Sequence, residues 1–236
     1  IEDYSKAIEL DPEGGEIWGD RGYTKSRLKD YQGAIEDYSK AIELDPNNSS
    51  EWSNRGDAKL GLGDAQGAID DFTKAIELDP EDEMNSIKRG FAKFKLEDYQ
   101  GAIDDYSKVI ELDPENKYAY FSRGNAKFNL WVDQVALDDY LKVIEDYSTA
   151  IEDYSKAIEL DPEDAEIWVN RGDVKFFLTD YQGAIEDSSK AIELDPEDAK
   201  IWGNRGDAKS RLKDYEGAIE DYSKAIELDP EGGEIW

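Results

Sequence analysis

Apolar positions along this chain alternate between two kinds of segment. One kind reads AEIWVNRGDVKFFL, residues 165–178, where Trp168 and Gly172 are four apart and share a helical face. Glycine has no side chain, so a second helix can approach closely there. The other kind reads YQGAIEDSSKAIEL, residues 181–194, where the small residues Ala184 and Ala191 are seven apart, each followed by an isoleucine, Ile185 and Ile192. Asp180 stands where it can cap this second helix, and Pro196 ends it. The pattern predicts two antiparallel helices held close through small residues.

The pair recurs along the chain. Prolines stand at 12, 46, 80, 114, 162, 196 and 230, so that the spacing is 34 residues throughout except for one interval of 48. Within a period the order is Trp18, Gly22, Ala34, Tyr38, Ala41 and Pro46, and the same spacing returns from Trp52 to Pro80, from Trp168 to Pro196 and from Trp202 to Pro230. Ser86 and Tyr120 take the tryptophan position in the two remaining copies. This motif resembles the tetratricopeptide repeat (TPR) over nearly the whole chain. The resemblance implies an all-α protein, a right-handed α-solenoid of helix-turn-helix units whose first helices line a concave groove. The expected organisation is a partial repeat over 1–14 and three units over 15–116. A fourth unit follows over 117–163, then two over 164–232 and the start of another at 233–236. Both ends then present faces that a neighbouring unit or molecule would cover.

The long interval lies in the fourth unit. Residues 133–160 contain no Gly or Pro and repeat Ala136, Val143, Ala150 and Ala157 in sevens, which predicts one helix of roughly 42 Å. Fourteen residues, two heptads, have been added to an ordinary second helix, and Asp133 is placed to cap it. A first helix ending near Leu130 is too short to cover the added stripe. Ile144, Tyr147, Ile151 and Tyr154 are therefore expected to stand partly unpaired, and to be covered by a second chain in a homodimer.

Charge narrows the partners. The chain carries 58 acidic and 28 basic residues, a net charge of −30. That disfavours nucleic acid and anionic membrane and suits a cationic or neutral protein or peptide. There is no His and no Cys, which removes imidazole acid–base chemistry, thiolate nucleophiles and the usual transition-metal ligands. Turns such as DPEDAE are acidic but lack the twelve-residue calcium-loop spacing. The expectation is a protein that is not an enzyme, with no cofactor and no metal site, and with a cytoplasmic location; no apolar run is long enough to span a membrane.

Two sets of positions invite a functional reading. Arg21, Arg55, Arg89, Arg123, Arg171 and Arg205 precede each motif glycine, and Lys25, Lys59, Lys93, Lys127, Lys175 and Lys209 follow three residues after it. Identical in every unit, they are expected to lay their stems over the helix pair and meet acids of the next helix; the alternative is a basic ladder for an anionic ligand. Residues one, five and eight after the tryptophan position differ from unit to unit instead. By the resemblance they face the groove, and they are aromatic in the middle of the array. Phe91, Phe94, Phe121, Asn125, Phe128, Asn129, Asp173 and Phe176 are the candidate peptide-binding residues. The competing reading is that these phenylalanines fill gaps between repeats. Some TPR proteins clamp acidic chaperone tails with a Lys at the first of these positions, but Gly19, Ser53, Ile87 and Phe121 do not fit that clamp. A self-assembling module with no groove ligand is the other functional reading.

Overall fold

The computed structural model describes residues 1–134 and 140–230, with 131–134 and 140–147 described by their backbone alone. Thirteen helices and no strand occur among the described residues. They divide into two compact units, Ile1–Pro114 and Glu115–Trp236. The first holds α1 (Glu2–Leu10), α2 (Gly15–Arg27), α3 (Tyr31–Leu44), α4 (Ser49–Gly61), α5 (Ala65–Leu78), α6 (Glu83–Lys95) and α7 (Tyr99–Leu112). The second holds α8 (Lys117–Gln134), α9 (Tyr140–Leu160), α10 (Ala165–Phe177), α11 (Tyr181–Leu194), α12 (Ala199–Arg211) and α13 (Tyr215–Leu228). Each even-numbered helix is the first of a pair and packs on the odd-numbered helix that follows. Within each unit consecutive first helices also touch, α2 on α4 and α8 on α10 for example, whereas neighbouring second helices do not. The first helices therefore crowd the inner side of an α-solenoid.

The turns follow from local chemistry. Asp30, Asp64, Asp98, Asp180 and Asp214 each accept a hydrogen bond from the backbone N–H three residues on. That third residue is always glycine. A Cβ on Gly101 would lie 2.2 Å from the Asp98 carboxylate, so a side chain there would displace the cap. At the other end of the pair Trp18, Trp52, Trp168 and Trp202 donate their indole N–H to the carbonyls of Pro12, Pro46, Pro162 and Pro196. The tryptophan thus ties the inter-pair turn to the helix it introduces.

Two contacts hold the helix pairs, and α10–α11 has only the second of them. The first is a ring on a glycine. The rings of Tyr38, Phe72, Tyr106, Tyr154 and Tyr222 cover Gly22, Gly56, Gly90, Gly124 and Gly206 so closely that a Cβ would lie only 2.7–3.0 Å from them. The second is a buried ion cluster. Arg21 donates through Nε and Nη2 to both oxygens of Asp37, 2.8 and 2.7 Å, and Lys25 approaches the same carboxylate at 2.8 Å. Arg55 and Lys59 hold Asp71, Arg89 and Lys93 hold Asp105, Arg171 and Lys175 hold Asp187, and Arg205 and Lys209 hold Asp221 in the same way. The remaining arginine nitrogen reaches back to the preceding second helix, where Ser5, Ser39, Thr73, Ser155 or Ser189 accepts it. The guanidinium also lies over the tryptophan ring, 4.8–4.9 Å from its centre in the four units that have one. The conserved-looking basic ladder is internal: its charge is spent on acids of the same pair.

The fourth pair departs from expectation. Asp133 and Gln134 belong to the end of α8, and the start of the next helix before Tyr140 lies outside the described residues. Against the ordinary first helix of 13 residues, such as α6, α8 has 18, five more. Against the ordinary second helix of 14, such as α7, α9 has 21, seven more. The insertion therefore lengthens both helices, and the first helix runs past the expected end near Leu130. The reason lies in the turn. Where other units place a positive-φ residue, Lys29 or Thr179 for example, this unit has Trp131; where they place the aspartate cap it has Val132, and where they place glycine it has Val135. With every stop signal replaced by a side chain that tolerates helix, α8 runs on. The part of the expected helix over 135–139 lies outside the described residues.

Register is set from the C-terminal side. Arg123 and Lys127 close on Asp153, 30 residues from the arginine instead of the usual 16. Tyr154 covers Gly124 and is 0% exposed. Its expected place in an unpaired stripe is thereby corrected: the ring fills its own pair. Ile151 packs against the same core, with Ala150, Ala157 and Ile158. Ile144 and Tyr147 lie outside the described side chains.

The ion cluster yields a graded prediction. Replacing Asp71 by Ala leaves Arg55 and Lys59 facing each other without their carboxylate, and should cost about 3–5 kcal/mol in urea unfolding. Ser39→Ala, which removes only the outer acceptor of Arg55, should cost about 1 kcal/mol. Equal losses would show that the cluster does not tie the pair together.

Candidate functional site

The three variable positions of the first helices have different fates. Position one is packed away: Gly19 and Gly203 are buried, Ser53 and Val169 nearly so. A Cβ on Gly19 would meet the Glu51 carboxylate at 2.4 Å. Position eight is half-buried and turned toward the pair's own turn: Phe94 packs edge-on against Tyr99 and Phe176 against Tyr181, both with ring centres 5.3 Å apart. Position five is the open one. Tyr23, Phe91 and Asp207 are exposed there, and Asp57 bonds Lys88 across to the next first helix at 2.7 Å.

In the first unit Phe91 is 47% exposed, with the Lys95 ammonium 5.2 Å from its ring centre. In the second unit Phe121 and Phe128 both pack against the core around Tyr154, and Phe121 meets that tyrosine ring at 6.1 Å. Gap filling between pairs therefore describes Phe121 and Phe128, whereas Phe94 and Phe176 pack on the tyrosine of their own pair. Asn125 accepts the Tyr154 hydroxyl at 2.6 Å, and Asn129 donates to the Asn125 carbonyl at 2.8 Å. Both amides thus already serve their own helix pair.

One open feature of the second unit is made by a residue that Trp-to-Pro spacing passes over. In the fifth pair the ring position of the motif is Ser188. Gly172, its partner, finds no ring: the atoms nearest a Cβ there would be the Asp187 Cβ at 3.3 Å, the Ala184 carbonyl oxygen at 3.5 Å and the Ser188 hydroxyl at 3.6 Å. A cavity of about 220 Å³ remains, lined by Gly172, Asp173, Phe176, Phe177, Ala184 and Ser188, with Asn204 and Asp207 at the α12 side. Phe177, which no motif position singles out, is 54% exposed at its rim and tilts against Phe128 at 5.7 Å. The Arg211 guanidinium lies over Phe176, 5.7 Å from its centre. Reading IEDYSK against IEDSSK along the repeats is the signal that would have found this place.

Asp173 sets the electrostatics of the cavity. It accepts a hydrogen bond from Asn204 Nδ2 at 2.8 Å. Burial pushes its carboxyl up to about 6, with Lys200 opposing the shift. In the neighbouring pair Tyr222 donates its hydroxyl to Asp207 at 2.7 Å, and burial together with that bond raises the phenol to about 12. Among the described residues no group of acidic side chains is placed to hold a metal ion.

Family models described as tetratricopeptide repeat match residues 15–48, 49–82, 165–198 and 199–231, and one described as TPR repeat matches 90–130 and 139–176. No curated protein matches the chain. Among solved structures, a MamA protein is 24% identical over 79% of this chain and 94% of its own, with a TM-score of 0.67. MamA from Desulfovibrio magneticus RS-1 is 22% identical over 78% and 96%, with a TM-score of 0.69. YrrB, described as a TPR protein with an unusual peptide-binding site, is 23% identical over 82% and 92%, with a TM-score of 0.65. At these identities the likeness is one of fold.

The raised carboxyl of Asp173 has a signed consequence. Its folded value lies above the ordinary aspartate value of 3.8, so the stability it lends is complete below that value and is lost as pH rises through about 6. Asp173→Asn keeps the acceptor for Asn204 and removes the charge. After allowing for screening, the variant should be about 1–2 kcal/mol more stable than the parent at pH 7.5 and indistinguishable from it at pH 3.5. Urea unfolding at the two pH values measures this.

Proposed function

The chain belongs to the tetratricopeptide repeat family, and from that premise we propose that it is a protein-interaction scaffold that binds a peptide across the first helices α8, α10 and α12. The family's fold is a non-catalytic frame for protein and peptide partners. The observation that carries the reading is the contrast between invariant and variable positions. The ion clusters, caps and tryptophan anchors recur along the array, while the inner face changes and gathers Asp173, Phe176 and Phe177 around an open cavity. With a net charge of −30 and two carboxylates, Asp173 and Asp207, at that cavity, the suited partner is neutral or basic. Among the described residues no helix is long and apolar enough to cross a membrane.

Peptides selected by display against the whole chain provide the test. Phe177→Asp changes an exposed ring and should leave the unfolding midpoint in place while weakening the selected peptides at least tenfold. Peptides bound equally well by parent and variant would remove this face from the reading.

A further inference from the structure

The cavity at Ser188 has a shape that the rest of the chain defines. In the sixth pair the corresponding space is occupied by the Tyr222 ring. It lies over Gly206 and its hydroxyl donates to Asp207, which precedes the tyrosine by 15 residues. In the fourth pair Tyr154 lies over Gly124 and donates to Asn125 at 2.6 Å. In the fifth pair each of these parts is present except the ring. Gly172 is the bare floor, Ala184 the small wall, and Asp173 the acceptor, 15 residues before Ser188. The backbone around the gap has kept its ordinary form: the Arg171–Asp187 fork measures 2.9 and 2.6 Å, and the Asp180 cap is in place. The pair has therefore not collapsed into the missing volume.

We propose that this cavity is a socket for a phenol ring, filled by a tyrosine side chain of the bound peptide, which takes the place of the absent ring of the repeat and donates its hydroxyl to Asp173. The proposal rests on the peptide-scaffold reading and names the side chain that reading has to accommodate. Size permits it: apolar cavities of about 150 Å³ take up benzene, and this one, at about 220 Å³, has room for the hydroxyl as well. The lining is mainly apolar, with Phe176 and Phe177 offering ring edges and faces. The acceptor argues against phenylalanine, because a plain ring would bury a carboxylate oxygen without giving it a donor. It also argues against a free anion, since Asp173 and Asp207 both border the space. A partner tyrosine enters from the inner face, where the first helices leave position five open.

Small probes test the socket without any peptide having been identified. By isothermal titration, p-cresol should bind the intact chain at least tenfold more tightly than toluene. Ser188→Tyr restores the repeat's own ring; it should raise the unfolding midpoint by several degrees and abolish p-cresol binding. Asp173→Ala should weaken p-cresol about tenfold and leave toluene unchanged. Failure of p-cresol to bind, binding that survives Ser188→Tyr, or tighter binding of benzylamine than of p-cresol would each overturn the proposal. N-acetyl-tyrosine methylamide separates a peptide side chain from a free phenol: it should bind with p-cresol's dependence on Ser188 and Asp173. If p-cresol binds and the blocked tyrosine does not, the occupant is a small phenol and the tyrosine assignment falls. A display-selected peptide held equally by the parent and Ser188→Tyr would leave the scaffold reading standing and remove the socket from it.

Discussion

Each helix pair depends on one arginine. Its guanidinium grips a buried aspartate on the second helix with two parallel bonds; in Arg55, for example, it also reaches the preceding second helix with a third and stacks on the tryptophan of its own helix. Three helices are thereby held in one geometry by a group that stays charged and planar. Burying a carboxylate is unfavourable unless it is fully paired, and here each is paired twice, by the arginine and by a lysine one turn on. The net charge of the chain says little about this interior, where cations outnumber acids at every cluster. The strongly negative balance belongs to the outer helices and turns.

The fourth pair shows what this constraint decides. Fourteen added residues lie between Arg123 and the next unit, and the cluster forms with the aspartate that also sets Tyr154 over Gly124 and Ala157 and Ile158 toward α10. Pairing, ring packing and the junction to the following helix agree on one register. The added length is taken up away from that junction, by extension of both α8 and α9.

Much of this was readable from residues alone. The period, the pairing of helices, the aspartate caps and the inward use of the basic ladder all follow from spacing, because each is a local rule repeated without change. What escaped were single departures. Val132 in the place of a capping aspartate decides where α8 ends, yet Asp133 beside it offers an equally acidic letter in the wrong phase. Phe121 and Phe128 look like groove residues by position, but their rings are drawn into the gap between pairs by the core around Tyr154. Ser188 is one residue within a helix that otherwise matches its siblings, and its effect is a volume, which no periodicity reports.

That volume has a consequence for how such a chain acquires new partners. The other pairs hold the same space in closed form, each filled by its own tyrosine or phenylalanine over a bare glycine. A serine codon is one base away from either. Opening a pocket in this architecture therefore asks for no new loop and no new scaffold, only the loss of a ring from a place already framed by clusters and caps. Which pair loses it fixes where along the inner face the pocket appears, and the residue at position five of that pair, tyrosine, aspartate, phenylalanine or asparagine, fixes what chemistry greets the guest. The array is in this sense a row of shuttered windows, and natural variation needs only to choose one.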